Sequence, residues 1–326
     1  MPSRDFALEA VRATEFGAVS ASFFVGKGDK NGGDKSAVDA LRFYLNTIDF
    51  DGTIIIGEGE KDEAPMLYNG EKVGTGKGPK VDISIDPVEG TDALANGQAN
   101  AISTIAISEA GSMLKPGSSF YMDKIVVAQP AKDVIDITKS PSENLRRIAK
   151  ALNKDLRSLT VFVLDRPRHQ SLIKELRSLG VRILLNHHGD VTGAVSASLL
   201  GTDVDVLMGI GGTPEAIISA AGVKAVDGGM QCRRAPQSDA EKNRLTEEGC
   251  NIDEVLFIDD LINSEHTFFA ATGITSSSFL NGVLFESNTT VRTHSIIMRS
   301  HSGTIRYIDG IHNLKKKLHQ VNFSFS

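Results

Sequence analysis

Short apolar runs separated by glycine-rich turns dominate the chain, and their spacing alternates between the two-residue period of strands and the wider period of helices. Phe6, Val11, Phe16 and Val19, with Glu9, Arg12 and Glu15 between them, predict a helix over residues 5–24. The glycines from Gly26 to Gly33 break it, and a second helix is predicted over 37–45. Asp34 falls near the N-terminus of that helix, where a carboxylate suits the helix dipole. Residues 53–56 read as a strand. The alternation of Val81, Ile83 and Ile85 predicts a buried strand ending at Pro87, because proline cannot donate to a ladder. Gly90 and Thr91 then open a helical turn.

Further strands are predicted over 101–108 and 124–127, with 117–123 a loop carrying Tyr121. A helix over 142–152 takes Ser142 as its N-cap. A βαβα rhythm follows, with strands over 159–164, 181–185 and 204–208 and helices over 170–179, 191–199 and 216–223. Residues 235–250 suit a polar surface helix. Short strands are predicted over 255–258, 268–274, 282–285, 291–298 and 304–308, before a solvated basic run at Lys315, Lys316 and Lys317. Strands alternating with helices place the chain in the α/β class with parallel or mixed layered sheets. The domain boundary is expected near Leu156, giving segments 1–155 and 156–326.

Composition narrows the partners. With 326 residues the chain has room for two domains. Its net charge of −6, from 35 basic and 41 acidic residues, argues against nucleic acid as the ligand. No apolar stretch is long enough to span a bilayer, and no apolar signal core follows the first residues. Cys232 and Cys250 lack metal-ligand spacing and read as reduced thiols, so a cytoplasmic location is expected.

The chemistry lies in acidic turns. Asp34, Glu58, Asp86, Glu89 and Glu215 each sit on a turn containing glycine or proline, and two of these turns directly follow strands. Ligands of α/β sheets gather at strand C-termini, and clustered carboxylate oxygens suit Mg²⁺ or Mn²⁺ better than zinc. Glu58 also opens a longer acidic run that continues through Glu60, Asp62 and Glu63. Gly28 to Ser36 nearly spells a phosphate-binding P-loop, but Asp34 stands where the lysine belongs and a helix precedes it. Gly209, Gly211 and Gly212 precede a helix whose N–H groups suit an anion. Arg166 and Arg168 flank Pro167 on a stiff turn that suits phosphate. Tyr121 and Lys124 read from pattern alone as surface residues near a strand. No G-x-S-x-G elbow supports a serine triad.

The segment Ile85-Asp86-Pro87-Val88-Glu89-Gly90-Thr91 resembles the signature of the lithium-sensitive, metal-dependent phosphatase superfamily. Gly28 to Asp34, Asp51 to Glu60, Asp62 to Tyr68, Gly97 to Ala101, Pro167-Arg168-His169 and Gly209 to Glu215 are similar to class II fructose-1,6-bisphosphatases, from about residue 4 to Leu314. The resemblance implies an αβαβα sandwich of two α/β halves with the active site between them, the first segment binding metal and the second substrate. It implies Mg²⁺ or Mn²⁺ on Asp34, Glu58, Asp86, Glu89 and Glu215, with Thr91, Asp34 and Glu58 as the catalytic set. It implies sugar bisphosphate contacts from Glu89, Gly90, Thr91, Tyr121, Arg166, Arg168, Asp190 and Gly212, and a homodimer or homotetramer. His188 stands where the family usually has aspartate, which bears on the sugar, and Arg166 where it often has lysine.

The expected reaction is hydrolysis of the 1-phosphate of fructose-1,6-bisphosphate, and also of sedoheptulose-1,7-bisphosphate in some members. Three rivals stay open at this point: a superfamily phosphatase acting on inositol phosphates or a phosphoadenosine nucleotide, a P-loop nucleotide enzyme, and a non-enzymatic sugar-phosphate regulator.

Overall fold

A computed structural model describes residues 6–59 and 66–319; the expected acidic run at Glu60, Asp62 and Glu63 lies outside the described residues. In chain order the first elements are α1 (Phe6–Ser22), α2 (Lys30–Leu45), β1 (Asp51–Ile56), β2 (Lys72–Val73), β3 (Lys80–Glu89), α3 (Thr91–Asn96) and β4 (Ile102–Glu109). There follow β5 (Tyr121–Val127), α4 (Pro141–Ala151), β6 (Thr160–Leu164), α5 (Gln170–Leu179), β7 (Arg182–Asn186), α6 (Asp190–Ser198), β8 (Val206–Gly212), α7 (Thr213–Ala225), β9 (Gly229–Arg234), α8 (Asp239–Glu247), β10 (Leu256–Phe257) and α9 (Ile258–Leu261). The chain closes with β11 (Phe268–Gly273), β12 (Leu284–Ser287), β13 (Thr290–Arg299), β14 (Thr304–Asn313) and α10 (Leu314–His319).

These elements form two units. Residues 1–111 and 266–326 make the first, and 112–265 make the second. The boundary expected near Leu156 is therefore corrected: it falls inside the second unit. The physical reason is the core. Leu145 and Ile148 of α4 share one apolar cluster with Leu159, Val161 and Val163, so a cut at 155/156 would split it.

The first unit carries a mixed sheet in the order β12-β13-β11-β4-β3-β1-β2, with β14 also paired to β13. Its core joins one face of that sheet (Ile54, Ile83, Ile85, Ile105, Ile107, Phe268) to Phe6, Ala10 and Val11 of α1 and Leu41 and Leu45 of α2. Phe50 is fully buried and meets Phe6 edge-on at 5.8 Å. Strand β3 does not stop at Pro87. It continues to Glu89 through an irregularity between Asp86 and Glu89 in its pairing with β4. Its partner β1 pairs only as far as Ser84, so the missing proline N–H interrupts no ladder on that side. Helix α2 starts at Lys30 rather than 37, because Asp29 caps it by accepting from the Gly32 N–H at 2.8 Å. Asp34 is thus inside the helix.

Among the terminal lysines Lys317 is not solvated. It is buried near Glu15 (3.5 Å) and over the Phe16 ring (4.4 Å), with His312 at 3.2 Å.

The second unit carries a six-stranded mixed sheet, order β10-β9-β5-β8-β6-β7. Ile125, Val127, Val161, Val163 and Met208 face α4 and α5, so Lys124 and Val126 alternate to the other face. Tyr121 begins β5 and is not in a loop. The Gly209–Gly212 run ends β8 as strand, and β9 was not predicted. Helix α4 is capped by Ser140, which accepts from Glu143 N–H at 3.1 Å, while Ser142 bonds Glu175. Both cysteines are free, as expected of reduced thiols, and no helix among the described residues is long and apolar enough to cross a membrane.

Phe50→Ala is expected to lower unfolding stability by about 3–5 kcal/mol. Urea unfolding should show the midpoint falling with the slope unchanged.

Candidate active site

In the first unit the expected acids sit on three elements that the backbone ties together. Asp34 is on α2 and Glu58 follows β1. Asp86 and Glu89 flank the irregularity in β3. The Gly26 and Gly28 N–H groups donate to Leu94 O and Ala95 O of α3, both at 2.9 Å, which fixes the approach to α2. Glu58 N–H donates to Leu67 O at 2.9 Å, and Gly57 N–H to Asn69 Oδ1 at 3.0 Å. A Cβ on Gly57 would meet Leu67 O at 1.8 Å, so only glycine lets this loop close. Asp86 Oδ1 accepts from Val88 N–H at 3.1 Å, and Lys30 pairs with Asp92 at 3.0 Å. Gly90, with φ of 90°, precedes α3 and provides no side-chain cap, leaving Thr91 as the first helical residue.

Asp34 and Glu58 share a hydrogen bond in which Glu58 donates. Burial, then the charges of Asp34 and Asp86, push the Glu58 carboxyl up to about 9. Burial also raises Asp34, against the lowering by Glu58's donation and by the Lys30 charge. Glu58 therefore lies within electrostatic reach of both Asp34 and Asp86.

The second unit assembles the rest. Tyr121 pairs with Gly212 across β5 and β8. The Arg168 guanidinium lies over the Tyr121 ring at 5.1 Å and donates twice to Ile210 O, at 3.1 and 2.8 Å. Arg166 donates to His187 O at 2.8 Å. Gly189, with φ of 94°, leads into α6, whose first residue is Asp190, and His188 sits half-buried just before it. Glu215, in the first turn of α7, is raised by burial, against the lowering by the Lys124 charge. A Cβ on Gly212 would meet Glu215 Oε2 at 1.7 Å, so the close approach requires glycine.

Pattern reasoning placed Lys124 at the surface, but it is the most buried charged group of the set, at 1% exposure. It donates to Asp190 Oδ2 and, at 3.0 Å, to Gly212 O. Burial opposes its charge, but Asp190 and Glu215 outweigh burial and hold the ammonium above its usual range. Its position between Met122 and Val126 on one face of β5, where alternation calls for an apolar residue, was the available signal. His169, also buried, enters the sequence pattern only within the Pro167-Arg168-His169 motif; its ring bonds Leu164 O and accepts from Ile210 N–H.

A family model described as bacterial fructose-1,6-bisphosphatase, glpX-encoded, matches residues 4–312. The chain belongs to this family. It is 43% identical over 327 residues to fructose-1,6-bisphosphatase 1 class 2 of Escherichia coli strain K12, covering 96% of this chain and 97% of that protein. The class 2 fructose-1,6-bisphosphatases of Escherichia coli O6:H1 and of Shigella flexneri match with the same identity and coverage.

Fructose-1,6-bisphosphatases of this type are metal-dependent phosphatases, and the residues here suit a hard cation. Among the described residues no three histidine, cysteine, aspartate or glutamate side chains already converge as a metal cage. The donors are nevertheless all carboxylate oxygens. In the first unit Asp34 and Glu58 meet only by sharing a proton, and in the second, Glu215 Oε2 is buried without a hydrogen-bond partner among the described residues. In each unit taken by itself a divalent cation meets the condition found there, by replacing the proton or by filling the unmet acceptor.

Two outcomes are expected. Between pH 4.5 and about 9 the metal-free fold holds a proton on Glu58 that the unfolded chain has released, so this group's contribution to stability falls as pH rises through that window. Thermal melting of Glu58→Gln should be flatter with pH across it, and Mg²⁺ or Mn²⁺ binding should release protons in a weakly buffered titration. Separately, Lys124→Met should cost about 3–5 kcal/mol by stranding Asp190. Adding Asp190→Leu should recover most of that in the same urea assay.

Proposed function

We propose that this protein hydrolyses the 1-phosphate of fructose-1,6-bisphosphate to fructose-6-phosphate and phosphate; its relatives are named fructose-1,6-bisphosphatases. The observation that carries this reading is Glu58 held against both Asp34 and Asp86, with Gly90-Thr91 following Asp86 and Glu89 in the chain, in a chain whose second unit holds Arg168 stacked on Tyr121. Asp34, Glu58, Asp86, Glu89 and Glu215 would hold Mg²⁺ or Mn²⁺. When bound, the cation supplies charge neutralisation to the phosphoryl group and acidity to the attacking water.

The chain's own groups do the rest. Phosphoryl transfer demands in-line positioning more than covalent help. The Thr91 hydroxyl orients the water and passes its proton to a neighbouring carboxylate, Asp34 being the acceptor. The water oxygen bonds phosphorus as the bond from phosphorus to the C1 oxygen breaks, and the leaving alkoxide takes up a proton. Glu89 and Gly90 contact the reacting end. Arg166, Arg168 and Tyr121 hold the 6-phosphate, so that its binding energy orients the scissile end. His188, Asp190 and Gly212 contact sugar hydroxyls. The same site would take sedoheptulose-1,7-bisphosphate. The chain would work in the cytoplasm as a homodimer or homotetramer, with no nucleic acid or membrane partner.

Phosphate release from fructose and sedoheptulose bisphosphates, inositol phosphate and phosphoadenosine nucleotide, each with Mg²⁺ or Mn²⁺, tests the reading. Fructose bisphosphate should be hydrolysed in preference to the last two, and EDTA should abolish turnover. Thr91→Ala should lower kcat by about two orders of magnitude or more with folding intact. Near-normal turnover in that variant removes Thr91 from the mechanism.

A further inference from the structure

The parallel ladder between β6 and β8 is short. Val161 pairs with Val206 and Phe162 with Leu207, and there it stops. Continuing the register by two residues would put Leu164 opposite Gly209 and aim Leu164 O at the Ile210 N–H. The His169 imidazole occupies that place instead. Its Nδ1 is 2.6 Å from Leu164 O, and Ile210 N–H donates to Nε2 at 2.7 Å. Because an amide N–H can only donate, Nε2 is the acceptor and the proton lies on Nδ1, which donates to Leu164 O. The ring is thus spliced into a broken ladder hydrogen bond and satisfies both backbone groups while holding the strands apart. Gly209, with φ of 123°, makes the room, since a Cβ there would stand 2.8 Å from Nε2.

The wedge opens the sheet at the C-terminal ends of two parallel strands, the place where α/β sheets take ligands. The preceding residue, Arg168, grips the same residue through its carbonyl, Ile210 O, on the next peptide. We infer that His169 is a positioning residue: as the neutral Nδ1–H tautomer it splits β6 from β8 and fixes the Arg166–Arg168 turn for the 6-phosphate of the substrate. This rests on the reading of that turn given above.

The charged and titratable groups around the ring are Arg168 beside it, Asp123 on β5 and Asp190 on α6. Burial dominates and favours the neutral ring, with Arg168 adding to that and the two carboxylates opposing it. A protonated ring would set a second N–H against the Ile210 N–H, so the arrangement belongs to the pH range above the histidine's own titration.

Two near-isosteres separate the bonds. Gln presents an amide where Nε2 lies and can accept from Ile210, whereas Asn reaches only the position of Nδ1. The measurement is calorimetric binding of fructose-6-phosphate to the metal-free full chain, which needs no turnover. His169→Asn should weaken binding about tenfold or more, the loss of one well-placed hydrogen bond, and His169→Gln by less than about threefold. Arg168→Ala is the control. If Arg168→Ala weakens binding and His169→Asn does not, the positioning role is overturned while the turn's role stands. If Arg168→Ala has no effect, the turn does not read this phosphate and both statements fail. A merely structural histidine would lower the melting temperature of both isosteres without separating them in affinity. Should His169→Asn fail to fold, the ¹⁵N shifts of the wild-type imidazole decide. A Nδ1–H tautomer near neutral pH supports the role, and a Nε2–H tautomer or an imidazolium overturns it.

Discussion

Like charges held at close range in a half-dry interior repel by a few kcal/mol per pair, and both units of this protein are built around that cost. In the first, Asp34 and Glu58 meet by sharing a proton, with Asp86 adding its field. In the second, the Lys124 ammonium serves Asp190 and lies within reach of Glu215. The two solutions differ in consequence. A shared proton can be displaced by a divalent cation, so the first cluster is open to metal. A lysine sealed inside the sheet cannot leave, so it holds Asp190 and the Gly212 carbonyl in one fixed arrangement whatever else binds.

Backbone geometry delivers those side chains. Helices α3 and α6 are both entered through a glycine in the left-handed region, Gly90 and Gly189, and neither glycine supplies a side-chain cap. Each turn therefore presents the first helical residue, Thr91 in one and Asp190 in the other, at a helix start whose backbone N–H groups favour negative charge. At α7 the device is different. Gly212 is extended, and the absence of a Cβ lets the Glu215 carboxylate fold back against the strand end. Glycine here brings functional groups close to backbone.

Much of the fold was legible. Local periodicity found nearly every helix and most strands, since β-branched and apolar runs such as those around Ile83 and Ile105 have few alternatives. Failures occurred where long-range packing overrides local preference. Pro87 lies within β3 because the neighbouring strand has already ended. The Gly209–Gly212 run is strand because β5 pairs along its whole length. Helix α2 tolerates Gly32 and Gly33 because Asp29 caps its start and Gly33 fits against Leu94. The domain division was missed because the first unit is discontinuous in sequence, and no local signal shows that β11 returns to pair with β4.

The amino-acid sequence alone determined the chemical inventory: five acids near glycine or proline, two arginines around a proline, and a threonine beside the acidic signature. Residue types and short spacings are local properties, and a turn's composition restricts its shape. Tertiary structure decided which of these groups feel one another. It turned Lys124 from an expected surface cation into the buried partner of Asp190, brought Lys317 against Glu15, and set the His169 ring into the gap between β6 and β8. Those outcomes include contacts between residues 41 and 302 positions apart, whose energy exists only once the chain has closed on itself.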